Sequence, residues 1–422
     1  MRGMDASGHI DDLGAFITAS PSSYHAAAEV ARRLGEAGYT ALDEAADWRE
    51  LVRPGARLVV VRDGAVIALA VPEPVGPTTP FRILGAHTDS PTFKLKPRPA
   101  LASHGWLQAS VEVYGGPILA SWFDRELEFA GRIVTRDGTV HLVRTGPFAR
   151  IPHLAIHLDR EVNTAFAPDR QRDLQPVFGV DGPDVLAHLA RAAGLEPAEI
   201  AGHDVVAVDS AAPARFGADG ALFAAGRLDN LSSVHAGLAA LQGATPETAV
   251  AVLAAFDHEE LGSESRSGAS GPLLGDVLAR VSAALGIDLA RSLPGSWCLS
   301  ADAGHAVHPN RPEKHDPTHR PIAGGGPLLK VNANQRYTSD ALGSALWART
   351  CEAAEVPWQP FVSNNSVPCG STIGPLTATR IGIPTLDVGV PLLSMHSARE
   401  LCHVDDPASL AAAAEVFFSG AV

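Results

Sequence analysis

The chain has 422 residues, 46% hydrophobic and 19% charged, a globular composition that excludes a largely disordered protein and is too long for one ordinary core. With 33 basic against 47 acidic side chains the formal net charge is −14, so phosphate backbones and anionic membranes are repelled and an acidic ligand needs a local cationic pocket. Cys298, Cys351, Cys369 and Cys402 are widely spaced, the N-terminus is acidic where a signal peptide is apolar, and no apolar run approaches the ~20 residues that span a bilayer, so a cytoplasmic protein with no membrane or nucleic-acid partner is expected.

In chain order, Ser22 or Ser23 can cap a helix over Tyr24–Leu34 that ends at Gly35. RLVVV and AVIALAV flank Asp63-Gly64, a two-residue hairpin signal, and VPEPVGPTTP interrupts regular structure before the apolar strand FRILGA. From Lys94 to Ser210 short alternating strands such as QASVEVYGG dominate, with one helix over Asp184–Ala193. Past Gly226, helices over 229–241, 272–285, 339–354 and 406–418 alternate with the buried strands TAVAVLAAF, SWCLSAD and IPTLDVGV. Buried strands between helices predict an α/β fold with a mixed sheet. The expected organisation is one domain built from residues 1–93 and 211–422, interrupted by an inserted β-rich domain over 94–210.

Several acidic and imidazole side chains share one placement, at or just past the carboxyl end of an apolar strand or at a strand-to-helix junction. His87 and Asp89 follow FRILGA, Asp229 follows ALFAAGRL, and Glu259 and Glu260 follow TAVAVLAAFDH. Asp302 follows SWCLSA, and His396 follows IPTLDVGVPLLSM. In open α/β sheets, residues at strand carboxyl ends converge on a ligand. Two imidazoles with several carboxylates suit zinc, manganese or cobalt, and one carboxylate too many for a single tetrahedral ion suggests two ions about 3.5–4 Å apart. Taken singly, Asp229 reads as a helix cap, Glu259-Glu260 as a solvated turn and His396 as a loop histidine; their common placement carries the metal reading. Asp302 at an apolar strand end is harder to dismiss, because a buried unpaired carboxylate is costly. Gly324-Gly325-Gly326 lacks the Lys-Ser/Thr of a phosphate loop, and Ser371 lacks a G-x-S-x-G setting.

The blocks GAHTDSP (85–91), YGG with SWFDREL (114–127), IPHLAIHLDREVN (151–163), GRLDNL (226–231), DHEELGSES (257–265), SADAGHAVHPN (300–310), LKVNANQRYTSD (329–340) and MHSARE (395–400) resemble, in this order, the M18 metallopeptidases, the aspartyl aminopeptidases. The resemblance implies a dinuclear-zinc aminopeptidase domain with the β-rich insertion used for assembly. Asp229 would bridge two divalent ions, with His87 and Asp302 completing one and Glu260 and His396 the other. Asp89 would orient His87, and Glu259 would be the general base that activates a metal-bridging water for attack on the first peptide bond. It further implies that His157 reaches a neighbouring subunit's site and that Lys330, with Tyr337 in the same block, selects Asp or Glu at the substrate N-terminus. His308 is placed near the substrate, while His305, His315 and His319 read as members of a solvated loop. On the residues alone, His157 is a strand or turn histidine of the β-rich region and Lys330 a solvated surface lysine. The expected partners are peptides with a free N-terminus and other copies of the chain, in a tetrahedral dodecamer of dimers. A broad aminopeptidase, a dinuclear deacylase and a non-catalytic scaffold are the alternatives; the intact set of ligands and Glu259 argues against the last.

Overall fold

The computed structural model describes residues 6–421. Its largest sheet has nine strands, ordered Thr40–Ala41, Arg57–Arg62, Ala65–Ala70, Val250–Phe256, Phe81–His87, Trp297–Ala301, Thr385–Gly389, Leu328–Val331 and Gln359–Val362. From Val250–Phe256 to Thr385–Gly389 neighbouring strands run parallel, and Ala65–Ala70 and Leu328–Val331 join them antiparallel. The carboxyl ends of the parallel strands therefore open on one edge.

Both faces of this sheet are covered. Along Val250–Phe256, the side chains of Ala251, Leu253 and Ala255 pack under the helices Ala6–Ala19, Ser23–Glu36, Leu228–Gly243, Ala341–Ala353 and Asp405–Ser419. Val250, Val252, Ala254 and Phe256 face the opposite side, with Leu273–Leu285 and Ile373–Ile381. Burial on alternate sides makes such a strand an uninterrupted apolar run in sequence. Local chemistry sets the boundaries: Ser22 caps Ser23–Glu36 by accepting from the His25 N–H, and the Arg57–Arg62/Ala65–Ala70 hairpin turns through Asp63 at φ 56°. The helix Ile373–Ile381, capped by Thr372, has no counterpart in the sequence reading.

Gly237 decides how close the helix Leu228–Gly243 lies to the sheet. A Cβ there would stand 2.7 Å from Leu253 Cδ1 and 2.9 Å from Leu84 Cδ2, both on fully buried side chains. Overpacking of this kind costs about 1–3 kcal/mol, against roughly 1 kcal/mol that alanine gains over glycine in helix propensity. Gly237→Ala is therefore expected to lower the midpoint of chemical denaturation; an unchanged or higher midpoint would show that the helix has room to lift.

The β-rich insertion is a six-stranded antiparallel sheet, ordered Val140–Arg144, Leu127–Thr135, Ile200–Asp209, Thr92–Ser103, Trp106–Tyr114 and Val177–Gly179. Phe93, Leu95, Phe129, Ile133 and Leu189 build its core, the last from the helix Val185–Ala192, which Asp184 caps. A third sheet of Ala214–Phe216, Leu222–Ala225 and Glu400–His403 sets Ala225 opposite Glu400. No helix among the described residues is long and apolar enough to cross a membrane.

Candidate metal centre

His87 ends the strand Phe81–His87, and Asp302 follows Trp297–Ala301 on the neighbouring parallel strand. Glu259 and Glu260 open the short turn Glu259–Leu261 just beyond Val250–Phe256. Asp229 lies at the start of the helix Leu228–Gly243, where φ −82° and ψ 102° take it out of helical geometry. It is thus not the simple helix cap that its sequence position also allows. The approaches to the site pass through left-handed residues, Arg227 at φ 62°, His258 at φ 65° and His396 at φ 66°. Such conformations cost of order 1–3 kcal/mol at non-glycine residues and persist where the surrounding structure holds them at functional sites.

These elements bring the side chains together around Asp229. His87 Nε2 lies 3.2 Å from Asp229 Oδ1 and 3.6 Å from Asp302 Oδ1. On the other side, His396 Nε2 lies 3.5 Å from Asp229 Oδ2 and 3.5 Å from Glu260 Oε1. Each oxygen of one carboxylate therefore faces a different imidazole. His87, Asp229 and Asp302 form one group able to hold an ion, and Asp229, Glu260 and His396 another; His87 also groups with Glu259 and Glu260.

Both imidazoles are held in the tautomer a metal needs. His87 Nδ1 is 3.0 Å from the Asp89 carbonyl oxygen and His396 Nδ1 is 3.1 Å from the Gly116 carbonyl oxygen. A carbonyl can only accept, so each Nδ1 carries a hydrogen and Nε2 is the ring nitrogen left facing Asp229, free to serve a metal once any proton on it is displaced. The Asp89 carboxylate is 3.5 Å from His87 Nδ1. It accepts from Tyr114 Oη at 2.8 Å, the Glu259 N–H at 3.0 Å and the Glu260 N–H at 3.2 Å. One carboxylate thus links the His87 strand, the paired glutamates and the inserted sheet. Gly115, next in chain after Tyr114, lies against Glu260, where a Cβ would come within 3.2 Å of Glu260 Cβ.

Sequence reasoning assigned no role to Glu400. Its carboxylate is buried and accepts from the Asp229 N–H at 2.9 Å and the His396 N–H at 2.8 Å, locking the backbones of both residues to one anchor. The only sequence signal was a glutamate four residues after the histidine in MHSARE, too weak to separate from a surface charge. Ser90 Oγ on the Asp229 carbonyl at 2.6 Å and Asn230 Nδ2 on the Ala301 carbonyl at 2.9 Å complete the frame.

The electrostatics favour a cation. Asp229 Oδ1 and Glu260 Oε1 are buried and accept no hydrogen bond, which is costly for carboxylate oxygens unless a cation shares them. Burial opposes charging His87, yet the Asp229, Asp302 and Asp89 carboxylates outweigh it and hold its pKa well above the usual 6.5. Burial likewise opposes charging His396, and Asp229 and Glu260 raise it to about 10. A group of carboxylates that holds protons on imidazoles this strongly is equally suited to a divalent ion, which displaces those protons on binding. Burial, reinforced by Asp302, Asp229 and Asp89 against the opposing His87, pushes Glu259 up to about 8. The residues present fit a divalent metal.

The other candidates are not members of the groups able to hold an ion. Lys330 is not a solvated lysine: it is 2% exposed, donates from Nζ to the Ala303 carbonyl at 2.7 Å and stands 5.3 Å above the centroid of the buried Tyr337 ring. Ala303 directly follows Asp302, so the Lys330 ammonium is anchored one residue from a member of the metal cluster. Among the described residues no carboxylate lies within 4.0 Å of its ammonium. His308 is exposed, on the polar loop after Gly304–His305. His157 is also exposed, on a turn whose Leu154, Ile156 and Leu158 are 63%, 47% and 75% exposed.

Comparison with known proteins places the chain in a family. The family model described as aminopeptidase I zinc metalloprotease (M18) matches residues 16–418. A protein of Streptomyces avermitilis named "Probable M18 family aminopeptidase 2" is 53% identical, over 98% of this chain and 98% of its own. Among solved structures, a chain of the Ape4 and Nbr1 complex superposes with a TM-score of 0.94 at 34% identity, over 98% of this chain and 86% of that one. The mApe1 dodecamer of S. cerevesiae superposes with a TM-score of 0.86 at 26% identity, over 97% and 96% of the two chains. A family match over nearly the whole length, joined to a strand-end cluster of imidazoles and carboxylates, makes this chain a member of the M18 family of zinc metalloaminopeptidases.

Proposed function

We propose that the protein is a dinuclear aminopeptidase that removes N-terminal aspartate or glutamate from peptides. The observation that carries the two-ion reading is Asp229, whose oxygens face His87 and His396 on opposite sides. His87, Asp229 and Asp302 would hold one ion and Asp229, Glu260 and His396 the other. Zinc is the first choice, with manganese or cobalt accepted by the same donors. Bound divalent ions supply Lewis acidity, which lowers the pKa of water and polarises a carbonyl.

The chain's own residues do the rest. Glu259 is held beside the cluster by Asp89, which grips its N–H, and it makes no contact with His396 or Asp229 of the kind Glu260 makes. It accepts the proton of the attacking water at its carboxylate and returns it to the leaving amine. Asp89 and Glu400 keep the first and last ligand segments in register through backbone N–H groups. His157, exposed among bare apolar side chains, contributes to the site of a neighbouring copy. Support for assembly comes from the dodecameric relative, and we assign to this chain the same dodecamer of dimers. We assign 1–93 and 211–422 to the catalytic domain and 94–210 to the insertion used in assembly, whose first strand, Thr92–Ser103, begins two residues before that boundary. Four free cysteines fit a reducing cytoplasm.

The acidic preference rests on Lys330. A buried ammonium with one carbonyl acceptor and an aromatic face has donors to spare, and a substrate carboxylate would pair with them. We assign His308 and Tyr337 to the same substrate side. The test is metal analysis coupled to hydrolysis of aspartyl, glutamyl, leucyl and N-acyl substrates. Two ions per chain are expected, with aspartyl and glutamyl substrates preferred. Lys330→Ala is expected to cost acidic substrates about 10–100-fold more than leucyl ones. Equal rates on aspartyl and leucyl substrates would remove the acidic assignment, and hydrolysis confined to N-acyl substrates would make the protein a deacylase.

A further inference from the structure

We propose that Asp387 is a specificity-positioning residue: its buried carboxylate holds Tyr337 against Lys330 and so fixes the geometry in which an acidic N-terminal side chain is received. This rests on the reading of Lys330 given above and extends it to a residue that touches no substrate.

Asp387 is completely buried on the strand Thr385–Gly389, and among the described residues it has no ion-pair partner. A carboxylate in that setting is costly unless strong donors surround it. Here both oxygens are used. Oδ2 accepts from the Thr338 N–H at 2.6 Å and from Thr338 Oγ1 at 2.7 Å, and Oδ1 accepts from Thr372 Oγ1 at 2.5 Å. The backbone closes the clamp, since the Asp387 N–H donates to Ser339 Oγ at 2.8 Å. Two separate segments are therefore pinned to one side chain: the stretch before the helix Ala341–Ala353, which carries Tyr337, and the cap of the helix Ile373–Ile381.

The strand pairing joins the clamp to the cation. Lys330 and Asp387 are directly opposed in the antiparallel ladder between Leu328–Val331 and Thr385–Gly389. Opposed residues of such a pair project to the same face. Lys330 Nζ stands 5.3 Å above the Tyr337 ring, which also packs against Phe361 with ring centroids 6.3 Å apart. Tyr337 directly precedes Thr338, the residue Asp387 holds by both backbone and side chain. Gly374 shows how tightly the clamp is filled, because a Cβ there would come within 2.5 Å of Asp387 Oδ1. Releasing Thr338 would free the tyrosine to move off the ammonium while leaving the metal ligands untouched.

The experiment compares wild type, Lys330→Ala, Asp387→Asn and Thr338→Val for KM and kcat on aspartyl and leucyl substrates, with metal content measured on each. Asparagine keeps one acceptor and loses the charge, and valine removes the hydroxyl donor while keeping the Thr338 N–H. Asp387→Asn is expected to lower the aspartyl-to-leucyl ratio of kcat/KM by about tenfold, mainly by raising KM for the aspartyl substrate, with metal content unchanged. Thr338→Val should shift the ratio in the same sense by about threefold, which keeps the test open if Asp387→Asn folds poorly. A merely structural Asp387 would lower both substrates together, and an unchanged ratio in both variants overturns this inference. If Lys330→Ala abolishes the preference while Asp387→Asn and Thr338→Val keep it, only the positioning role fails. If wild type shows no acidic preference, the Lys330 reading and this inference fall together.

Discussion

Replacing Glu259 by glutamine is expected to lower kcat by about 10²–10⁴-fold, the usual weight of a general base, while bound metal stays near the wild-type level. Glutamine keeps the shape and the N–H that Asp89 grips, and removes only the ability to take a proton. The neighbouring change, Glu260→Gln, should behave differently. Glu260 Oε1 is buried, accepts no hydrogen bond and lies 3.5 Å from His396 Nε2, so this carboxylate is built to hold an ion. Its loss should reduce metal content along with activity. The contrast matters because His87, Glu259 and Glu260 also form a group that could hold an ion. If Glu259→Gln lost metal as Glu260→Gln does, Glu259 would be a ligand and the base would have to be sought elsewhere. Retained hydrolysis would remove Glu259 from the chemistry altogether.

How far the sequence could be read depends on what each residue answers to. FRILGA, VAVLAAF and WCLSA are apolar apart from Arg82 and Ser300 because both faces of the sheet are covered, so these three were legible as buried strands. Side chains at their carboxyl ends were legible for the same reason, since the strand ends mark themselves. Glu400 was not, because its work depends on a three-stranded sheet that sets it opposite Ala225, four residues before Asp229. That pairing joins segments far apart in the chain and leaves no periodic trace. Lys330 was misjudged on local grounds for a related reason. In LLKVNANQ it reads as a solvated lysine, but its strand lies between two others, Thr385–Gly389 and Gln359–Val362, which bury it. The helix Ile373–Ile381 follows a run of Pro, Cys, Gly, Ser and Thr that signals a loop, and only its packing against the sheet with Ile373 fully buried makes it helical.

Asp229→Ala is expected to abolish activity and to empty both metal positions at once, whereas His87→Ala and His396→Ala should each weaken one. A single carboxylate is divided between the two groups: Oδ1 faces His87 at 3.2 Å and Oδ2 faces His396 at 3.5 Å, and among the described residues Asp229 alone belongs to both. Asp229→Asn sharpens the test. An amide presents one carbonyl oxygen and one NH₂ group, so it can face only one ion with an acceptor, and the ratio of metal to protein should fall from about two toward one. Glu400 still holds the backbone N–H of residue 229 in either variant, so the frame of the site should survive and the loss can be assigned to the missing oxygens. Metal analysis after gel filtration, with far-ultraviolet circular dichroism to confirm folding, reads all four variants. If Asp229→Ala kept two ions, the bridging role would be wrong, and the His87 and His396 groups would have to be independent sites that happen to share a wall.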